Sequence, residues 1–353
     1  MKKLILTFIC FAFLVTVIQA QIVTIPDNKF KAALIEKGVD LNKDGEIQLS
    51  EANMVTELYL MSYGISDLKG IEAFTSLSVL YCQSNQLTSI DISKNIALTY
   101  LDCSSNQITS LDISKNIALT VLYCQTNQLK NLDVSKNTAL TFIKCFSNQL
   151  TSLNLSKNKD LAFLYCYDND ITNIDVSKNP LLENLQCYGN ELTNLDVTKN
   201  PVLDGLHCQD NQLVSLNVSK NPALTVLWCA SNQLTSLDVS KNPALTSLYC
   251  HDNQLTNLNI GKNPALEILW CLSNQLTSID VAKNPAINYL DCSSNKLTSI
   301  DVSRNTNLTE LYCQKNPDLS KVCINNTQLG LTISNPDKWQ IDNTSTWSTS
   351  CGK

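Results

Sequence analysis

Twelve cysteines, from Cys82 to Cys313, recur every 21 residues. Thiols at a fixed interval can ligate a soft metal, pair as disulfides, or pack as small apolar side chains. His207 and His251 are the chain's only histidines, and neither a nucleophile elbow nor a metal-ligand motif accompanies them, so an enzyme is not the expected class. The other conspicuous chemistry is aromatic. Between Leu77 and Asn316 stand fourteen rings: Tyr81, Tyr100, Tyr123, Phe142, Phe146, Phe163, Tyr165, Tyr167, Tyr188, Trp228, Tyr249, Trp270, Tyr289 and Tyr312.

What positions these side chains is a repeat. Leucine or isoleucine recurs at 21-residue spacing from Leu77 to Leu308, each opening the pattern LxxLxCxxNxL. This resembles the leucine-rich repeat LxxLxLxxNxL, with cysteine at the third leucine. Residues 55–74 fit the same template with a 22-residue period, so the resemblance covers roughly 55–316. It implies a repeat solenoid with a parallel β-sheet on its concave face and mostly extended or turn structure on the other side. A short α-helical cap is expected at the N-terminus. About thirteen coils at ~4.8 Å per strand would make a sheet roughly 60 Å long.

Within a strand, alternate residues face opposite sides, so leucine and cysteine point inward. Stacked cysteines would place neighbouring Cα atoms ~5 Å apart, inside bridging range, but with parallel Cβ vectors, and a metal needs converging ligands. Free buried thiols acting as filler are therefore expected. Asparagine columns, Asn85 to Asn316 and Asn95 to Asn305, read as hydrogen-bonded ladders, because a buried amide must satisfy its donors and acceptor. The Lys94 to Arg304 and Asp91 to Asp301 columns read as a solvated face on which opposite charges offset one another.

All fourteen rings fall two, four or six residues after a repeat's first leucine, on columns that make up a seventh of the repeat. Both histidines join them. The second half-repeat carries no rings, so strand propensity alone does not account for the clustering. An exposed aromatic face of this length marks a binding surface for a protein or glycan ligand. Two subsites stand out, Phe142, Phe146, Phe163, Tyr165, Tyr167 and Tyr188 in one, and Trp228, Tyr249 and Trp270, which share one column, in the other; His207 and His251 are further candidate ligand contacts. Flat rings in a column suit a glycan or a protein segment. Asp168, Asp210 and Asp252 are candidate rim contacts.

The ends differ from the middle. DLNKDGEIQLSE, from Asp40 to Glu51, resembles an EF-hand calcium loop. That resemblance assigns as ligands Asp40, Asn42, Asp44, the Glu46 carbonyl and a bidentate Glu51, with Gly45 at the turn and Gln48 acting through water. A single loop points to a structural calcium ion that locks the cap. At the other end, Cys323 and Cys351 break the period and bracket the tail, and are read as a disulfide.

Lys2 and Lys3, an apolar run and Ala20 read as a signal peptide cut near Ala20, giving a secreted or periplasmic protein. The division is therefore 1–20 signal peptide, 21–54 N-terminal cap, 55–316 solenoid and 317–353 C-terminal cap. A net charge of -6 with no basic run excludes nucleic acid, and no second long apolar stretch follows to enter a membrane. A monomer is expected. The resemblance extends to bacterial internalins and implies recognition of a partner. The alternative is a structural or adhesive surface component without catalysis.

Overall fold

The computed structural model describes residues 21–350. The expected signal peptide and Cys351 lie outside the described residues. Asp27 caps the first helix, Asn28–Glu36, by accepting the N–H groups of Lys29 and Phe30. That helix buries Phe30, Ala33 and Leu34. A second helix, Leu49–Ala52, follows the acidic loop. The other Asp27 oxygen accepts from the Ser66 N–H and hydroxyl and the Asp67 N–H, which ties the cap to the first coil.

Each coil supplies one three-residue strand. The first is Glu57–Tyr59, the second Val79–Tyr81, and the rest follow at 21-residue intervals to Tyr289–Asp291 and then Glu310–Tyr312. With Trp339–Gln340 added, they form one parallel sheet of fourteen strands in sequence order, except that the 299–301 and 321–323 strands lie elsewhere. The register is uniform: leucine pairs with leucine, as in Leu227 with Leu248. These central leucines are buried, and so is every cysteine that follows the strand. The opposite side is extended but pairs only sporadically, at Leu153 with Ile174 and Asp238 with Asn259.

The asparagines form the expected ladders, in two different ways. In the first column Asn211 accepts the Leu192 N–H at 2.9 Å and donates to the carbonyls of Cys187 and Cys208 at 3.0 and 3.2 Å. In the second, Asn200 donates to the Val176 and Asn179 carbonyls at 3.0 and 2.8 Å, while its Oδ1 has no partner.

Past residue 316 the stack continues rather than stopping at a lid. Lys321–Cys323 and Thr346–Ser348 extend a second, three-stranded parallel sheet from Ser299–Asp301. Gln328, on helix Asn326–Ser334, donates to the Val302 and Asn305 carbonyls and so replaces the next ladder asparagine. Asp342 accepts the N–H groups of Lys315 and Asn316. Trp339 packs edge-on to Trp347 over the last coil. These contacts cover the sheet edge that an unterminated stack would expose.

Candidate functional site

The fourteen rings share the concave face, as the register requires, and every one of them is half-buried. Tyr59, one coil earlier and 41% exposed, extends the array. Rings meet from coil to coil because adjacent strands hold them about 5 Å apart. One ladder runs Tyr59, Tyr81, Tyr100, Tyr123, Phe142 and Phe163, with centroids 4.7 to 5.5 Å apart. A second runs His207, Trp228, Tyr249, Trp270, Tyr289 and Tyr312. Between them lies a polar gap at Asn184, Gln186 and Gly205. The Asn184 amide lies across Gly205, where a Cβ would fall 2.2 Å from its Nδ2.

Of the two expected subsites, the one around Trp228 is continuous, and the other divides into two groups of touching rings. Tyr165 meets Phe142 edge-on at 5.2 Å. Phe146, Tyr167 and Tyr188 form a separate cofacial stack at 4.1 and 4.2 Å. Trp228, Tyr249 and Trp270 occupy one register column, at 4.9 and 5.4 Å, but with interplanar angles of 32° and 77°. They make no flat platform.

His207 and His251 sit on this face with Trp228 and Tyr249 on the coils between and beside them, and each packs against a tryptophan. Burial lowers the His207 pKa; it lowers that of His251 too, against the opposing pull of Asp252, Asp291 and Asp210. The His251 Nδ1 and Trp270 Nε1 are buried without a hydrogen-bond partner. Asp168, Asp210 and Asp252 lie exposed on the rim, in a column of residues with left-handed φ near 50°. Burial and then Asp210 raise the Asp168 pKa. The next coil has Gly189 in that column, φ +59°, because a Cβ would lie 2.5 Å from the Asp168 Oδ1.

Sequence reasoning passed over Lys144. It stands between Tyr123 and Tyr165 in register, with its ammonium 4.4 Å from the Tyr123 ring centroid. The signal was available, since it is a lone cation in an aromatic column. On the convex side, the acidic column is exposed to solvent, as expected, and it also closes turns. Asp91 and Asp238 accept the N–H groups of Ser93 and Ser240, which hold their carboxyls below the usual range. Among the described residues the ion pairs are Lys31 with Glu46 and Lys338 with Glu310, and neither joins the two columns.

The twelve ladder cysteines are free thiols, all buried. Burial pushes Cys103, Cys166 and Cys229 up to about 12. Cys323 is not among the free thiols, and its expected partner Cys351 lies outside the described residues.

The acidic loop turns at Gly45, φ +82°, and its donor set is oxygen-rich. Asp40 accepts from the Gly45 N–H, and Glu51 from the N–H groups of Leu41, Asn42 and Gln48. The Asn42 and Gln48 amides both donate to the Asp44 Oδ2, at 2.9 and 2.8 Å. Gln48 thus bonds Asp44 directly. The Glu46 side chain pairs with Lys31, which leaves its carbonyl for other use. Asp40, Asn42, Asp44, Glu46 and Glu51 supply oxygen donors of the kind a hard cation takes, but the Asn42 and Gln48 amides point into the Asp44 carboxylate, and among the described residues no three acidic, histidine or cysteine side chains converge as metal ligands.

Inward columns of leucine, cysteine and asparagine under a concave parallel sheet define a leucine-rich repeat solenoid. The functional domain of InlJ from Listeria monocytogenes, whose structure includes a cysteine ladder, matches with a TM-score of 0.80 and 32% identity, over 92% of this chain and 81% of that one. The chain belongs to the internalin family of leucine-rich repeat proteins. An internalin, InlF, from Listeria monocytogenes shares the fold at 17% identity and TM-score 0.68, over 95% of this chain and 98% of that one. So does the ectodomain of the receptor kinase GASSHO1/SCHENGEN3 from Arabidopsis thaliana, at 19% identity and TM-score 0.67, over 80% and 40%. No protein-family model and no curated protein matches the sequence.

Proposed function

We propose that this protein is a secreted, non-catalytic recognition protein that binds a protein partner on its concave aromatic face. The observation that carries the reading is the segregation of all fourteen rings onto one side, half-buried, in two ladders and one separate cofacial stack. Edge-on and tilted rings favour a protein surface over a glycan, which stacks best on flat exposed faces. No helix among the described residues is long and apolar enough to cross a membrane.

The test is a screen of the full chain against secreted and cell-surface proteins, glycans and the protein itself. A Trp228→Ala/Trp270→Ala variant that remains folded should lose the protein partner. Undiminished binding by that variant counts against the face. We also propose that the loop from Asp40 to Glu51 takes one calcium ion, held by Asp40, Asn42, Asp44, the Glu46 carbonyl and Glu51, with a structural role in the cap. The Cys323–Cys351 bridge is proposed as a second structural device, at the other end.

A further inference from the structure

The three outward columns of the concave strands offer thirty-nine positions between Glu57 and Gln314, and Lys144 is the sole lysine or arginine among them. Its backbone is fixed at the end of the strand Phe142–Lys144. The ammonium lies 4.4 Å from the ring centroid of Tyr123, 5.2 Å from that of Phe142 and 5.7 Å from that of Tyr165. The side chain is half-buried, and among the described residues no carboxylate lies within ion-pair distance of it.

Contact with rings at such a site contributes about 0.5–1 kcal/mol and leaves the three N–H donors of the ammonium to solvent or to a bound acceptor. Packing alone does not call for a charge here, since Tyr81, Tyr123 and Tyr165 fill the same column on nearby coils. We propose that Lys144 is a specificity-determining contact that pairs with one acidic side chain of a protein segment laid on the aromatic face. Apolar residues flanking that acid would seat on Tyr123, Phe142 and Tyr165. This rests on the concave face being the recognition surface, and it adds the charge of what is recognised.

Two arguments choose this occupant. A free small anion would gain nothing from the surrounding rings, whereas an acidic side chain brings apolar neighbours with it. The rings around Lys144 meet edge-on or tilted and make no flat platform, which disfavours an acidic sugar. The protein's net charge of -6 gives no long-range attraction for an acidic partner, so selection for the carboxylate occurs at contact.

The experiment uses short synthetic peptides in which a central Glu is flanked by Leu, Phe or Val, each with a matched Gln version. Binding to the full chain is read by fluorescence polarisation. The parent should bind the best Glu peptide about tenfold more tightly than its Gln match. Lys144→Met, which keeps an apolar stem on the rings, should lose that preference, and Lys144→Arg should retain it. Equal binding of Glu and Gln peptides by the parent overturns the proposal without any variant. If such binding still requires Trp228 and Trp270, recognition by the concave face stands alone. Preference for a carboxylated or sulfated oligosaccharide over every peptide overturns the choice of partner, and binding of neither class overturns both readings.

Discussion

Substituting Asn211 by alanine should cost more than substituting Asn200, although Asn211 is 9% exposed and Asn200 is completely buried. Burial alone orders them the other way. The Leu192 N–H has the Asn211 Oδ1 as its acceptor, so Asn211→Ala strands a buried donor. The carbonyls it leaves are not stranded, because Cys187 still accepts from Asn190 and Cys208 from Asn232. One orphaned N–H costs about 1–3 kcal/mol, and weakening the shared carbonyls adds about 1 kcal/mol. A total of about 3 kcal/mol follows. For Asn200, the Val176 and Asn179 carbonyls keep the backbone N–H groups of Asn179 and Leu182, and the lost Oδ1 had no partner. Its removal should cost about 1–1.5 kcal/mol. Urea unfolding followed by circular dichroism gives the ranking, and hydrogen exchange at the Leu192 amide gives the cause. A larger loss for Asn200→Ala, or unchanged protection at Leu192 in Asn211→Ala, would refute the hydrogen-bond accounting.

Other predictions concern thiols, protons and calcium. None of the twelve ladder thiols should react with iodoacetamide in the folded protein at mild alkaline pH, and all should react in urea; mass spectrometry of the adducts checks this. Because the folded pKa values of His207 and His251 are lowered, the stability they confer is present above their unfolded values and lost as pH falls through that region. Melting temperature should therefore drop from about pH 7.5 to 5.5, and a His207→Gln/His251→Gln variant should flatten that slope. A second loss should appear in acid. Burial would raise the Asp27 carboxyl, but the N–H groups of Ser66 and Phe30, the Ser66 hydroxyl and the Asp67 N–H outweigh it and lower it to about 2. Its contribution, about 1 kcal/mol after discounting for solvent, is present above its unfolded value of 3.8 and lost as pH falls from there towards 2; Asp27→Asn should remove it. Calcium should raise the melting temperature of the parent and not of Asp40→Ala, and no difference between calcium and chelator in the parent would count against the loop.

The solenoid is legible in the sequence because a 21-residue period leaves so few ways to bury leucine, cysteine and asparagine together. The same period suffices to put Tyr81, Trp228 and Trp270 on one face. Ring orientation is not legible, since spacing says which side a ring occupies and nothing of how its face is used. Hence Trp228, Tyr249 and Trp270 share a column as expected, while the tilted and edge-on angles between them could not be read from spacing. The acidic column is solvated as its composition implies, while its second part, closing a turn as Asp91 does by accepting the Ser93 N–H, needs the backbone to be seen. At the C-terminus Gln328 and Asp342 continue the ladders from outside the period, so no periodic search finds them.

Whether the concave face meets a partner is decided by site-specific photo-crosslinking in the native environment. Benzoylphenylalanine would be placed at Val226 on the concave strand or at Ser240 on the convex turn. Recognition by the aromatic face predicts a discrete protein adduct from position 226 and none from 240. An adduct from 240 alone, or the same adduct from both, would contradict it.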